Sequence, residues 1–325
     1  MWMSPSPESP SPESTQVPAT LGAALENLSI VTANFADGLV LEDVLGDWFE
    51  FLGGRPGQVV LVDNGSDPQT QQACWSSYQN GLIDKLLLVK PDHCDTGRDL
   101  NYIAEHTAPA IATKPYILLF KIDCLPWRQG HEQWLVEAMR YLERPDTFAV
   151  GGSFNCVAHH HDAWDPAWYF ADKCSENFAL MKREHFIAAM EEAMGGYISS
   201  GFRGKSFAQT EDQTHYLIEL AFERYMQQHG RYTLTRVEDE SWTVFHTNVH
   251  NERLEKVRNE FRQRSDVKAF MNAANFTANF PHGVYYGRPS SHAWHKRLRI
   301  AFGASTLGPI WRTIKQSLGL GGVAS

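Results

Sequence analysis

The sequence predicts an α/β fold with a mostly parallel sheet flanked by helices, on three observations. Strand-like apolar runs recur at 28–34, 58–63, 86–89 and 116–120. Helix-patterned segments stand between them, and the resulting βαβαβαβ order calls for a parallel sheet with helices on both faces. Three of these strands end in polar residues, on the edge where open α/β sheets bind their ligands.

Leu28 to Asn34 opens the series as a strand with a polar end. Leu39 to Leu52 follows with helical spacing, its apolar residues at Leu41, Val44, Leu45, Trp48, Phe49 and Leu52, and it stops at Gly53-Gly54. Gln58 to Val62 is a second strand running into Asp63-Asn64-Gly65-Ser66-Asp67, a turn sequence because Asn-Gly accepts positive φ. A helix is expected from Pro68 to Gln79 and a third strand over Leu86–Val89. Thr96 to Asn101 leads into another helix.

The run Tyr116–Phe120 is the centre of the pattern, too short for a lone helix and preceded by Pro115. It delivers Lys121 and Asp123 at its carboxyl end, and charges are costly to bury unless paired. In an extended strand these two side chains share a face, so they either pair with each other or face a ligand together.

With 325 residues and 43% hydrophobic content, the chain is long enough for one large domain or two smaller ones around a sizeable core. A net charge of -9 argues against a general nucleic-acid binder. No apolar run approaches bilayer length. The N-terminal stretch is rich in Ser, Pro and Glu, lacks the features of a signal peptide, and is expected to be a disordered tail over residues 1–26. Cys74, Cys94, Cys124, Cys156 and Cys174 are odd in number and never spaced Cys-x-x-Cys, which suggests reduced thiols and a cytoplasmic protein.

Val62-Asp-Asn-Gly-Ser-Asp67 resembles the Asp-Asn-Gly-Ser turn of family 2 glycosyltransferases with the GT-A fold, and residues 28–250 follow that family's order of elements. The resemblance implies that Thr32, Asn34 and Asp63 hold the nucleotide base of a UDP- or GDP-sugar, with Asn64 and Ser66 shaping the turn. Gly97-Arg98-Asp99 resembles a segment near the sugar nucleotide, so Arg98 is implied there. Asp123 falls where the family's Asp-X-Asp motif has its second acid, which holds Mn²⁺ or Mg²⁺ on the diphosphate. The first acid of that motif is Lys121 here, which supplies charge but no ligand oxygen. His246, with His250 as second choice, stands where many members have a histidine near the metal and diphosphate.

Gln209-Thr-Glu-Asp-Gln213 carries a capping box from Thr210 to Gln213, so a helix is expected to start there. Thr210-Glu211-Asp212 resembles the family motif whose aspartate is the general base, which makes Asp212 the expected base and Glu211 its companion. Otherwise the two acids simply favour a helix N-terminus. Ser175–Phe186 resembles the strand and arginine-bearing turn below the acceptor, with Lys182 and Arg183 facing phosphate or starting a helix. His159-His-His-Asp162 is either a metal tract or, since no partner with ligand spacing stands nearby, a solvated loop, and Trp164, Trp168, Tyr169 and Phe170 either stack on a sugar or pack in the core.

Late strands are expected over Arg231–Arg236 and Ser241–Phe245, and a charged amphipathic helix over Asn251–Phe270. Beyond them, Arg288, Lys296, Arg297, Arg299, Arg312 and Lys315 stand in a segment with no acid. That tail either lies on an anionic membrane surface or packs on the acidic main domain. The expected organisation is a tail (1–26), a GT-A domain (27–250, with a nucleotide half to 125 and an acceptor half from 126) and a helical extension (251–325). The function expected is transfer of a sugar from a nucleotide-sugar to a glycan or lipid-linked hydroxyl acceptor, with inversion, at the cytoplasm or peripherally at the inner face of a membrane. A nucleotidyltransferase is the alternative enzyme, although Thr32–Asp37 lacks its Gly-rich basic loop, and a nucleotide-sugar or glycan-binding protein that has lost turnover is the alternative binder.

Overall fold

The computed structural model describes residues 17–89, 100–126, 133–151, 168–203, 217–236, 244–247, 250–263 and 284–286. The chain runs α1 (Leu21–Glu26), β1 (Leu28–Asn34), a 3₁₀ turn (Gly38–Val40), α2 (Leu41–Leu52), β2 (Gln58–Asp63), α3 (Pro68–Gln79), β3 (Lys85–Leu88), α4 (Leu100–Ile111) and β4 (Tyr116–Phe120). It continues with β5 (Cys124–Pro126), α5 (Trp134–Leu142), β6 (Thr147–Gly151), β7 (Trp168–Ala171), β8 (Phe178–Lys182) and α6 (Arg183–Ser199). The last elements are α7 (Leu217–His229), β9 (Tyr232–Arg236), β10 (Val244–His246), α8 (Glu252–Gln263) and β11 (Val284–Tyr286).

Eight strands form one mixed sheet in the order β3-β2-β1-β4-β8-β6-β9-β7. The β3-β2-β1-β4 half is parallel throughout, as the alternation of elements demands. The other half is not: β8 runs antiparallel to both β4 and β6, and β7 antiparallel to β9. The sheet is therefore less parallel than the sequence suggests, because the order of pairing in that half does not follow chain order. β4 is buried over its whole length, with Tyr116, Leu118 and Phe120 packed on one face and Ile117 and Leu119 on the other. A strand covered on both sides reads as a continuous apolar run for that reason.

The core on one face gathers Trp48 and Phe51 of α2 with Phe120, Trp134 and Phe178, ring centroids lying 4.8–6.1 Å apart. The opposite face is covered by α4, α6 and α7. A smaller sheet, β11-β10-β5, crosses the end of β4, with His246 of β10 opposite Cys124 of β5.

One boundary moves. Residues 17–26 belong to the folded protein, against the expectation of a tail reaching 26, because Thr20 caps α1 through Ala23 N and α1 buries Ala24 while Leu21 and Leu25 pack on the core. α3 starts where Pro68 predicts, its first turn held by the Asp67 carboxylate on the backbone N–H groups of Gln69 and Thr70. Cys74, Cys124 and Cys174 are buried, and none forms a disulfide among the described residues. Among those residues no helix is long and apolar enough to cross a membrane. The segments bearing His159–Asp162, Trp164, Glu211 and Asp212, Gly97–Asp99 and the basic tail lie outside the described residues.

Candidate functional site

Strand order reverses direction at β1. The chain steps outward to β2 and β3, then returns to place β4 on the other side. That switch point is where an open α/β sheet leaves a crevice for ligands. A cavity of about 290 Å³ lies there, lined by Thr32, Asn34, Phe35 and Asp37 from the end of β1 and its loop, Asn64 beyond β2, and Lys121 to Asp123 beyond β4. Glu105 of α4, Glu176 before β8, Ile218 of α7, His246 and His250 also line it.

β4 does not continue extended to Asp123. The Cys124 N–H donates to Lys121 O at 3.0 Å and closes a turn, so Lys121 and Asp123 part company. Each takes a partner of its own, yet both line the one cavity. The Lys121 ammonium pairs with Glu105 at 3.2 Å, while the Asp123 carboxylate meets His246 Nε2 at 2.9 Å. The partner of Asp123 is set by the small sheet: Thr247 N–H and Oγ1 both donate to Asp123 O, each at 2.9 Å, which holds β10 against the turn.

Burial pushes the Asp123 carboxyl upward, but His246, His250 and Lys121 outweigh it and hold it below the usual carboxylate range. Asp123 is therefore an anion in the cleft at neutral pH. Ligand atoms of Asp123, Cys124 and His246 lie within 4.8 Å of one another. Burial, and then the Asp123 charge, push the Cys124 thiol well above its usual value, a shift that a bound cation would oppose. One carboxylate and one imidazole, with the Cys124 sulfur beside them, are a donor set that suits a transition-metal ion such as Mn²⁺ better than Mg²⁺, which prefers oxygen alone.

A second aspartate–histidine pair lines the same cleft. His250 Nδ1 meets Asp37 Oδ2 at 2.7 Å, and Asn251 N–H donates to Asp37 Oδ1 at 2.8 Å. The hydrogen bond to Asp37, assisted by the charges of Asp37 and Asp123, raises the His250 pKa against burial and Lys121. A raised folded-state pKa means the bond contributes stability below the unfolded value of about 6.5, and that contribution is lost as pH rises through the folded value. His250→Gln is expected to lower the melting temperature relative to the native chain most at pH 5.5, with the two curves converging by pH 8.5. A constant difference across that range would show that His250 charge plays no part.

The Asp63–Ser66 turn lies one layer behind the cleft. Asp63 is fully buried and accepts from Asn34 Nδ2 at 3.0 Å, from Ser66 N at 3.0 Å and from the Ser66 hydroxyl. Ser66 Oγ in turn accepts from Ala36 N at 2.9 Å, and Ala36 adopts φ 66°, a conformation that costs a non-glycine residue about 1 kcal/mol or more. Gly38 follows within reach of Thr70, whose Cα would lie 2.8 Å from an added Cβ. Asp63 and Ser66 thus brace the loop that presents Phe35 and Asp37, and neither lines the cavity. Thr32, Asn34 and Asn64 do line it.

Of the residues singled out in the sequence, the fold brings Thr32, Asn34, Asn64, Lys121, Asp123, His246 and His250 to one cavity. Lys182 and Arg183 are elsewhere, bound to Glu143 at 3.0 Å and to Ala110 O at 2.8 Å. Arg98, Glu211 and Asp212 lie outside the described residues. Asp37, Glu105 and Glu176 escape sequence reasoning. None of the three was singled out as a site residue, and Asp37 meets a partner 213 residues away.

No family model matches the chain, and no curated protein matches it. Among solved structures it is similar to a mannosyltransferase from Pyrobaculum calidifontis in complex with GDP-Man and Mn²⁺, at 16% identity and a TM-score of 0.35, over 89% of this chain and 84% of that one.

Proposed function

We propose that the chain is a GT-A-type glycosyltransferase of the family 2 kind, moving a sugar from a UDP- or GDP-sugar to a hydroxyl acceptor, a glycan or lipid-linked glycan, with inversion. The observation that carries this reading is the Asp123–His246 pair at the β1/β4 switch point, at the position where the family's second acid would hold a cation on the diphosphate. Asn34, Thr32 and Asn64 line the β1 side of the cavity, where the nucleotide base is expected. Asp123 and His246 are the residues that would hold Mn²⁺, and a cation there would neutralise the charge of the leaving diphosphate. Asp212 is assigned as general base, taking the proton of the acceptor hydroxyl.

Lys121 does not replace the metal in this reading, because its charge is already matched by Glu105 at 3.2 Å. Turnover of nucleotide-sugars is therefore expected to fall with EDTA and to return with Mn²⁺ more fully than with Mg²⁺. Assaying hydrolysis and transfer across UDP- and GDP-sugars, before and after chelation, tests this. Full activity in EDTA would remove the metal assignment, and no turnover or binding of any nucleotide-sugar would remove the enzyme.

A further inference from the structure

Cys124 follows Asp123 in the chain, opens β5, and pairs across the small sheet with His246 of β10. Residues directly opposite in an antiparallel pair send their side chains to the same face, so register alone makes the thiol and the imidazole neighbours. Asp123 is fixed to the same strand by the two bonds from Thr247 to its carbonyl oxygen, each 2.9 Å. One ligand atom from each of Asp123, Cys124 and His246 lies within 4.8 Å of the other two.

A buried cysteine outside a disulfide commonly acts as a small apolar side chain. Cys74 and Cys174 are buried too, and neither belongs to such a group among the described residues. Cys124 differs because a carboxylate and an imidazole converge on it. Donors about 2.0–2.3 Å from a shared transition-metal ion stand up to about 4.5 Å from one another, so small side-chain rotations bring these three onto one ion. Asp123 and His246 line the cavity, while Cys124 is fully buried, which shields its sulfur from solvent. Lys121, two residues before Asp123, offers no ligand atom and is held by Glu105 at 3.2 Å.

We propose that Cys124 is the third protein ligand of this site, a thiolate beside the Asp123 carboxylate and the His246 imidazole. The site then takes a thiophilic divalent ion, Co²⁺ or Zn²⁺, more tightly than an ion that prefers oxygen alone. The proposal rests on the reading in which Asp123 and His246 hold a cation on a diphosphate, and it adds a donor of different chemistry. As the sulfur–metal bond forms, the thiol proton passes to solvent and no electron is transferred.

Titration of the full chain with Co²⁺, followed by absorption, tests the ligand. A cobalt–thiolate bond adds a sulfur-to-metal charge-transfer band in the near ultraviolet that oxygen and nitrogen ligands do not give. The band is expected in the native chain and is expected to vanish in Cys124→Ser. By calorimetry, Co²⁺ and Zn²⁺ affinity in that variant is expected to fall by at least the roughly 10–100-fold that a supporting contact alone is worth to a metal site, while Mg²⁺ affinity stays unchanged. Cys124→Ala gives the same comparison if a buried hydroxyl prevents folding. Zinc-edge X-ray absorption of the native chain needs no variant, and one sulfur at about 2.3 Å is expected there. Bound Co²⁺ without the band, a band that survives Cys124→Ser, equal losses for Co²⁺ and Mg²⁺, or a zinc shell of oxygen and nitrogen alone would overturn the sulfur ligand and leave the Asp123–His246 cation standing. A native chain that binds no divalent ion, even with UDP or GDP present, would overturn both.

Discussion

Asp212→Asn is expected to lower kcat by roughly 10²–10⁴-fold, the contribution of a positioned base, while leaving nucleotide-sugar binding intact. Asparagine keeps the size and shape of the side chain and leaves Thr210 and Gln213, the residues of the expected capping box, unchanged, so the change is aimed at proton acceptance. The helix that follows in sequence supports the assignment. Ile218, in the first turn of α7, lines the cleft, and Glu219 beside it accepts from the backbone of Glu176 at 3.2 Å. The described end of this helix is thus anchored on the cavity wall, five residues beyond Gln213. Single-turnover measurement separates the chemical step from product release. Near-normal turnover in the variant would remove Asp212 from the mechanism and direct attention to His250, which lines the cleft with its Nδ1 at 2.7 Å from Asp37 Oδ2.

The first half of the fold was legible because burial on both faces of a parallel sheet writes itself into the chain as short apolar runs with polar ends. The helix expected from about Pro68 is α3, and the structure adds the Asp67 carboxylate that caps its first turn. The direction of the Lys121 and Asp123 side chains was not legible. Period-2 alternation assumes an extended chain, and the turn closed by Cys124 N–H on Lys121 O breaks it within three residues. Register across the second half was equally hidden, because β8 inserts between β4 and β6 through tertiary packing rather than through any local pattern. At the site, family-like motifs pointed to Asp123 and His246, whereas Glu105 and Glu176 could be found only once α4 and the β7–β8 connection were laid side by side.

The largest stability effect is expected at Arg258. This residue sits on α8 with its side chain fully buried, and it donates to Asp47 Oδ2 at 2.6 Å and to Asp43 Oδ2 at 3.2 Å on α2. Arg262, one turn on, reaches Asp47 Oδ1 at 2.7 Å. Removing Arg258 leaves the buried Asp47 with Arg262 as its remaining partner and empties a fully buried volume, so Arg258→Ala is expected to cost about 2–5 kcal/mol. Arg262→Ala is expected to cost only about 0–1 kcal/mol, because that guanidinium is 35% exposed and water replaces part of the pair. Urea denaturation with unchanged m-values distinguishes the two. The expected difference has a functional side: α8 begins directly after the His246–Asn251 segment, so docking it on α2 also holds the two histidines at the cleft. If charge desolvation is what makes the position sensitive, the double variant Arg258→Met with Asp47→Leu should recover much of the lost stability, since an apolar pair of similar volume removes both buried charges. A double variant as unstable as Arg258→Ala would show instead that the geometry of the ion pair, and not its burial cost, keeps α8 in place.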